Sequence, residues 1–143
     1  MAHVQKSVLT LRISGDDLIP DEITKFLGAR PTAAETKGEK VVGGNTGHVR
    51  IAKMGMWRLH AKDREPEDMD SQVQEILSQV TGELTIWRSI GEKYQIDLFC
   101  GIFLGGSNEG MTISAASLAA LGERGIEMGL DIYSGHDEDE PNT

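Results

Sequence analysis

The chain has 143 residues, of which 38% are hydrophobic and 26% are charged. Fourteen Lys and Arg against twenty-three Asp and Glu give 14 − 23 = −9 at pH 7. The length suits a single domain. So acidic a chain argues against nonspecific binding to nucleic acid or to an anionic membrane, because both require a surplus of basic residues. A single cysteine, Cys100, excludes an intramolecular disulfide and a thiolate-rich zinc site.

The chain shows no targeting or membrane-spanning pattern. The first residues lack the apolar run of a signal peptide. The longest nearly apolar stretch, 96–104, is far shorter than the roughly 20 residues of a membrane helix. We therefore expect a cytoplasmic protein with one domain at 1–135, followed by an acidic disordered tail at 136–143.

The first third of the chain predicts a strand, a short helix and a loop-rich segment. Residues 7–14 alternate between apolar and polar side chains, which is strand periodicity. Pro20, followed by two acidic residues, predicts the start of a helix, and Gly28 predicts its end. Residues 32–47 are rich in glycine and predict the least ordered part, with one short strand at 41–42.

The middle of the chain predicts a long strand and two helices. Residues 48–61 alternate again and predict one strand, with a bulge or an end near Gly55. Asp68 or Asp70 is positioned to cap a helix whose apolar residues recur at helical spacing. Residues 83–94 predict a further helix.

The last third predicts strands around one more helix. Residues 95–104 are apolar on both faces, which is typical of a central strand. A short strand is predicted at 111–113, and Ser114 is a favourable N-cap for the next helix. Residues 126–133 alternate and predict the final strand.

Hairpins mixed with helices predict an α+β fold rather than a doubly wound parallel sheet. The order of elements suggests a ferredoxin-like antiparallel or mixed sheet, with helices on one face and with additions.

A set of short motifs occurs in a specific order between about Leu9 and Tyr133. The motifs are Pro20-Asp21-Glu22-Ile23, Leu27-Gly28, Pro31-Thr32, Lys37-Gly38, Gly55 with Trp57, Leu59, Leu118 with Leu121, and Asp131-Ile132-Tyr133. Together they resemble a family of small bacterial proteins known only as domain of unknown function 4279. The resemblance implies a compact α+β domain. It implies no activity, because the family carries no established catalytic residues.

Two glycine-rich segments, 43–47 and 105–110, are interpreted as turns. A phosphate-binding loop requires a Lys followed by Ser or Thr where the helix begins, and neither segment has this pair. We therefore predict no nucleotide site.

The remaining reactive side chains indicate neither a metal nor a cofactor. His48 and His60 share one face of the predicted strand, but twelve residues of unbroken strand would separate them by roughly 40 Å. Cys100 lies in the most apolar segment and is predicted to be an inert core thiol. Trp57 and Trp87 lie on apolar faces and are predicted core residues. We identify no catalytic residue.

One constellation is unusual for a solvated surface. If the strands pack a row of apolar residues under the helices, that row is Leu9, Leu11, Ile13, Trp57, Leu59, Leu98, Ile102, Leu130 and Ile132. The opposite face then carries Thr10, Arg12, Arg58, His60, Asp97, Phe99, Phe103, Asp131 and Tyr133. Aromatic residues and arginine are enriched at recognition surfaces.

The preferred interpretation is a noncatalytic module that binds a protein partner or a second copy of itself through this face. The competing structural interpretation is that a loop, a helix or a second subunit covers Phe99 and Phe103. In that case Arg12 and Arg58 would pair with Asp97 and Asp131.

Two further functions stay open on the sequence. One is a small enzyme or metabolite-binding domain whose site lies where Arg58, His60 and Asp131 meet. The other is an acidic, immunity-like inhibitor of a basic enzyme, since a charge of −9 would speed such an encounter.

Overall fold

The structure is a computed structural model that describes residues 4–44 and 47–135. In chain order, the elements are β1 (Lys6–Gly15), α1 (Pro20–Leu27), β2 (Ala33–Glu35), β3 (Lys40–Val42), β4 (Val49–Ile51), β5 (Gly55–His60), α2 (Met69–Leu77), α3 (Leu84–Lys93), β6 (Gln95–Phe103), α4 (Ala115–Glu123) and β7 (Glu127–Tyr133). The predicted α+β class is confirmed. The predicted tail at 136–143 lies outside the described residues, as do Asn45 and Thr46 of the first glycine-rich segment.

Five strands form one mixed sheet in the order β2-β5-β1-β6-β7. The β1 strand pairs antiparallel with both β5 and β6, whereas β7 pairs parallel with β6 after the crossover through α4. The β3 and β4 strands form a separate two-stranded hairpin. The ferredoxin-like detail stays a prediction.

One apolar core lies between the sheet and the helices. Inward residues of β1, β5 and β6, such as Leu11, Trp57 and Leu98, are almost completely buried. They join the buried residues of the helices, such as Ile76 and Ile90, in a single cluster. The helices therefore cover one face of the sheet, and both tryptophans are core residues as predicted.

Local signals fix the helix ends. Gly28 ends α1 in a left-handed conformation, with φ of 72°, which glycine adopts without a steric cost. The Asp68 side chain accepts a hydrogen bond from the Ser71 amide and caps α2. The Ser114 hydroxyl does the same for the Ser117 amide and α4. These boundaries agree with the sequence predictions.

Residues 48–61 do not form one continuous strand, whereas the predicted interruption near Gly55 is confirmed. The chain forms β4 and then β5, and Val49 and Ile51 are exposed on the hairpin rather than part of the core face. The break ends at Gly55, where an added methyl group would lie 2.5 Å from the Leu18 carbonyl oxygen. The backbone at Gly55 is therefore too close to the segment between β1 and α1 for any side chain at this position.

Three smaller predictions also need correction. The β2 strand lies inside the segment expected to be least ordered, and residues 111–113 form no strand. Leu130 and Ile132 lie on the helix side of the sheet but are 54% and 58% exposed. They are not packed under the helices, because β7 is an edge strand and the helix layer covers only its beginning, near the buried Ile126.

Candidate functional site

The sheet face opposite the core carries all nine residues of the predicted constellation, and we call it the open face. It comprises Thr10, Arg12, Arg58, His60, Asp97, Phe99, Phe103, Asp131 and Tyr133. Strand pairing sets Thr10 between His60 and Phe99, and the next row sets Arg12 between Arg58 and Asp97. Strand alternation alone therefore identified the members of this surface.

Arg12 organises the centre of the open face. Its Nε and Nη2 atoms donate to the two carboxylate oxygens of Asp97 at 2.8 and 2.7 Å, a bidentate pair. The guanidinium carbon also lies 4.8 Å from the centroid of the Phe99 ring, within cation–π range. Hydrogen bonding to Asp97 raises the pKa of Arg12. The side chain is therefore a fixed cation at the surface.

A second cluster lies toward the end of β7. The rings of Phe103 and Tyr133 stack with centroids 4.6 Å apart, and the Lys6 Nζ lies 5.5 Å from the Phe103 centroid. The Tyr133 hydroxyl donates to the Asp131 carboxylate at 2.6 Å. This hydrogen bond and the charge of Asp131 raise the pKa of Tyr133. The cluster thus presents an ordered aromatic pair between a cation and a carboxylate.

Sequence reasoning missed a third cluster, at the β2 edge. The Glu35 carboxylate accepts hydrogen bonds from Arg50 at 2.9 and 3.0 Å and from Arg58 at 3.3 Å. The bonds from Arg50, followed by the bond from Arg58, lower the pKa of Glu35. No periodic pattern marks Glu35, because it lies in a three-residue strand within a glycine-rich segment. Arg50 reaches it from the β3-β4 hairpin.

The ion pairs of the competing interpretation are correct only in part. Arg12 pairs with Asp97, but Arg58 pairs with Glu35 rather than Asp131. Phe99 and Phe103 are half-buried. Arg12 lies over the Phe99 ring, and Lys6 and Tyr133 contact the Phe103 ring from the same face.

The residues of the predicted metabolite site do not converge. Arg58 and His60 belong to β5, whereas Asp131 belongs to β7, and both β1 and β6 lie between them. Three strand spacings amount to about 14 Å before any offset along the strands. His60 instead forms a hydrogen bond with Thr10. The geometry therefore gives this trio no common pocket.

The structure also places the Cys100 thiol and the two central histidines, His48 and His60. Burial, and next the charge of Asp97, raise the pKa of Cys100 to about 12, so the thiol stays protonated at neutral pH. His48 directly precedes β4, whereas His60 is the last residue of β5, so the two do not share one strand. Within residues 4–44 and 47–135, no group of three or more His, Cys, Asp or Glu is arranged to hold a metal ion.

A small hollow adjoins the open face. It has a volume of about 200 Å³ and lies beside Lys6, Phe103 and Tyr133. Ligand pockets commonly measure about 300–1,000 Å³, so this hollow suits a side chain of a partner better than a cofactor.

These features define a class of protein: an α+β domain whose helices cover one face of a mixed sheet and whose other face is lined with ordered rings and ion pairs. The chain belongs to the family described as Domain of unknown function (DUF4279), whose model matches residues 5–135. This confirms the family indicated by the sequence motifs. No curated protein and no solved structure matches the chain. Among the described helices, none has the length and apolar character needed to cross a membrane.

Proposed function

We propose that this protein is a noncatalytic interaction module that binds another protein, or a second copy of itself, through the open face. One observation carries the proposal: the open face holds an ordered array of aromatic and charged side chains that remains accessible. Tyr133 is 46% exposed, and Arg12, Phe99 and Phe103 are half-buried.

Stability alone does not account for this array. Ion pairs at a surface typically contribute about 0–1 kcal/mol, so the Arg12–Asp97 pair adds little to folding. Side chains already held in one geometry lose less conformational entropy when a partner binds. Tyr and Arg also dominate the energetic centres of protein interfaces. The array is therefore suited to recognition.

The geometry favours binding over catalysis. Arg58 and Asp131 are strands apart, and the Cys100 thiol is buried and protonated. A catalytic centre requires acid, base or nucleophile groups that converge on one reacting atom. We also propose a cytoplasmic location, since a chain with one buried thiol is suited to a reducing compartment.

A matched pair of variants tests the proposal. Tyr133 on the open face and Phe26 on α1 are exposed to similar extents, 46% and 50%. Self-association is measured by sedimentation, and partner capture is measured by quantitative mass spectrometry on extract from the source cells. We expect Tyr133→Ala to weaken the association by about tenfold or more, as for an interface anchor, and Phe26→Ala to leave it unchanged.

If both variants associate as strongly as the unchanged chain, the open face is not the interaction surface. Circular dichroism and thermal unfolding of both variants establish that each is folded before binding is compared.

A further inference from the structure

Among residues 4–44 and 47–135, no strand pairs with the outer edge of β7, and this free edge offers a second kind of binding surface next to the open face. The five-stranded sheet ends at β2 on one side and at β7 on the other. The β2 strand has three residues, whereas β7 has seven. A long edge strand presents a row of unpaired backbone groups that another strand can join.

The backbone direction within β7 follows from one hydrogen bond. The Tyr133 carbonyl accepts from the Leu104 amide at 3.0 Å, so the polar backbone groups of Tyr133 point toward β6. In a parallel strand these groups point alternately to one side and the other. The N–H and C=O groups of Leu130 and Ile132 therefore point to the free edge.

The outer edge of β7 carries few of the features that prevent strand addition. Edge strands are commonly guarded by charged side chains, especially Lys, by Pro or by a bulge. The charged residues of β7, Glu127 and Asp131, are both acidic, so they oppose an acidic strand but not a basic one. The segment Glu127–Tyr133 contains neither Lys nor Pro, and β7 pairs with β6 in continuous register. The side chains of Leu130 and Ile132 are more than half exposed on the helix side. An added strand would therefore gain both backbone hydrogen bonds and apolar contacts.

On its open-face side, β7 carries acidic residues that favour an added strand with basic side chains. Glu127 and Asp131 flank Gly129 on the side of the open face, and Gly129 pairs with Phe99 of β6. A methyl group built at Gly129 would meet no atom within 4 Å, so the space above it is open. A Lys or Arg side chain lying over Gly129 would sit between two carboxylates. The net charge of −9 attracts a basic segment from a distance.

We infer that β7 accepts an extended segment of a partner protein in which apolar residues alternate with Lys or Arg. The apolar side chains contact Leu130 and Ile132, and a basic side chain lies over Gly129. The inference rests on the proposed interaction function and names the class of partner. A second copy fits less well, because pairing two β7 strands brings together two acidic chains.

The test uses the full chain labelled with ¹⁵N and a blocked peptide of alternating lysine and valine as the probe. We expect the peptide to slow hydrogen exchange at the amides of Leu130 and Ile132, which point outward. The amides of Gly129 and Asp131, already bonded to β6, should keep their exchange rates. A matched peptide of glutamate and valine should not bind.

Two double variants distinguish the local effect of the β7 carboxylates from the effect of the net charge of the chain. Glu127→Gln with Asp131→Asn should weaken peptide binding by about two- to fivefold for each carboxylate removed. Glu92→Gln with Glu123→Gln removes as much charge from exposed positions on α3 and α4, and should leave the affinity within about twofold.

Several results would overturn the inference. Unchanged exchange at Leu130 and Ile132 under saturating peptide, or equal binding of the glutamate peptide, would each do so. Slow exchange of these amides in the chain alone, with a dimeric mass, would assign the edge to a second copy instead. If the peptide shifts only the NMR resonances of Arg12 and Phe99, the open face binds the peptide and the β7 edge does not.

Discussion

The two faces of the five-stranded sheet consist of alternate residues of the same strands, yet different interactions order their side chains. Leu11 and Trp57 on the core face are completely buried, whereas their chain neighbours Arg12 and Arg58 are only half-buried on the open face. Burial of apolar area stabilises the fold, while the surface ion pairs mainly fix side-chain geometry. The comparison teaches that the two faces contribute differently to stability, and substitutions on each face test this difference.

The largest effect is expected at Trp57 on the core face. Its side chain is fully buried, and its Nε1 donates to the Thr24 hydroxyl at 3.1 Å. Trp57→Ala removes this packing and leaves a cavity, so we expect the free energy of unfolding to fall by about 3–5 kcal/mol. Urea denaturation followed by circular dichroism measures it. A loss below about 1 kcal/mol would contradict the description of this face as the source of stability.

The second-largest loss of stability is expected when a buried polar side chain is removed. Gln72 of α2 is completely buried and donates to the carbonyl oxygens of Ser7 and Lys62, both at 2.9 Å. Gln72→Ala removes both hydrogen bonds and the oxygen that accepts from the Ser7 hydroxyl, and it leaves a cavity, so we expect a loss of about 2–3 kcal/mol. Gln74→Ala, at an exposed position of the same helix, is the control and should change stability by less than about 0.5 kcal/mol. Equal losses for both variants would disprove the role of this contact.

Truncation at the centre of the open face should cost little stability. Arg12→Ala removes the bidentate pair with Asp97 and the contact with Phe99. Because these contacts are partly exposed, we expect the free energy of unfolding to fall by about 1 kcal/mol or less. The same denaturation measurement applies. A loss as large as that of Trp57→Ala would show that both faces support the fold.

The smallest expected effect is the pH dependence of stability that comes from Glu35. Its pKa is lowered from the ordinary value of 4.5, chiefly by the hydrogen bonds from Arg50 and next by that from Arg58. A lowered folded-state pKa stabilises the fold above the unfolded pKa, and this contribution is lost as pH falls through the folded pKa. We expect the natural chain to be more stable than Glu35→Gln at pH 7, with the difference shrinking below about pH 4.5. A difference in melting temperature that is constant between pH 7 and pH 3 would contradict this assignment.

Local chemistry explains which parts of the fold could be predicted from the sequence. Pro20 and Gly28 determine the ends of α1 through their own backbone preferences, so no tertiary information is needed. Strand alternation similarly assigned Arg12 and Phe99 to one face of the sheet.

The sequence-based predictions are wrong where tertiary contacts determine the structure. Lys53 signals an interruption near Gly55, but the sequence does not show that β4 lies on a separate hairpin or that Gly55 closely approaches Leu18. Periodicity places Leu130 on the helix side, yet it contains no information on what covers that side. The partner of Arg58 depends on strand order, which brings Glu35 beside it and leaves Asp131 at the far edge.

Hydroxyl-radical footprinting tests the central claim, that the open face is accessible in the free chain, most directly. The labelling is done at a dilution where sedimentation shows a monomer. We predict strong modification of Tyr133 and Phe103 and almost none of the buried Trp57 and Trp87. Protection of Tyr133 and Phe103 to the same degree as the two tryptophans would show that the chain itself covers this face, and would contradict its assignment as a binding surface.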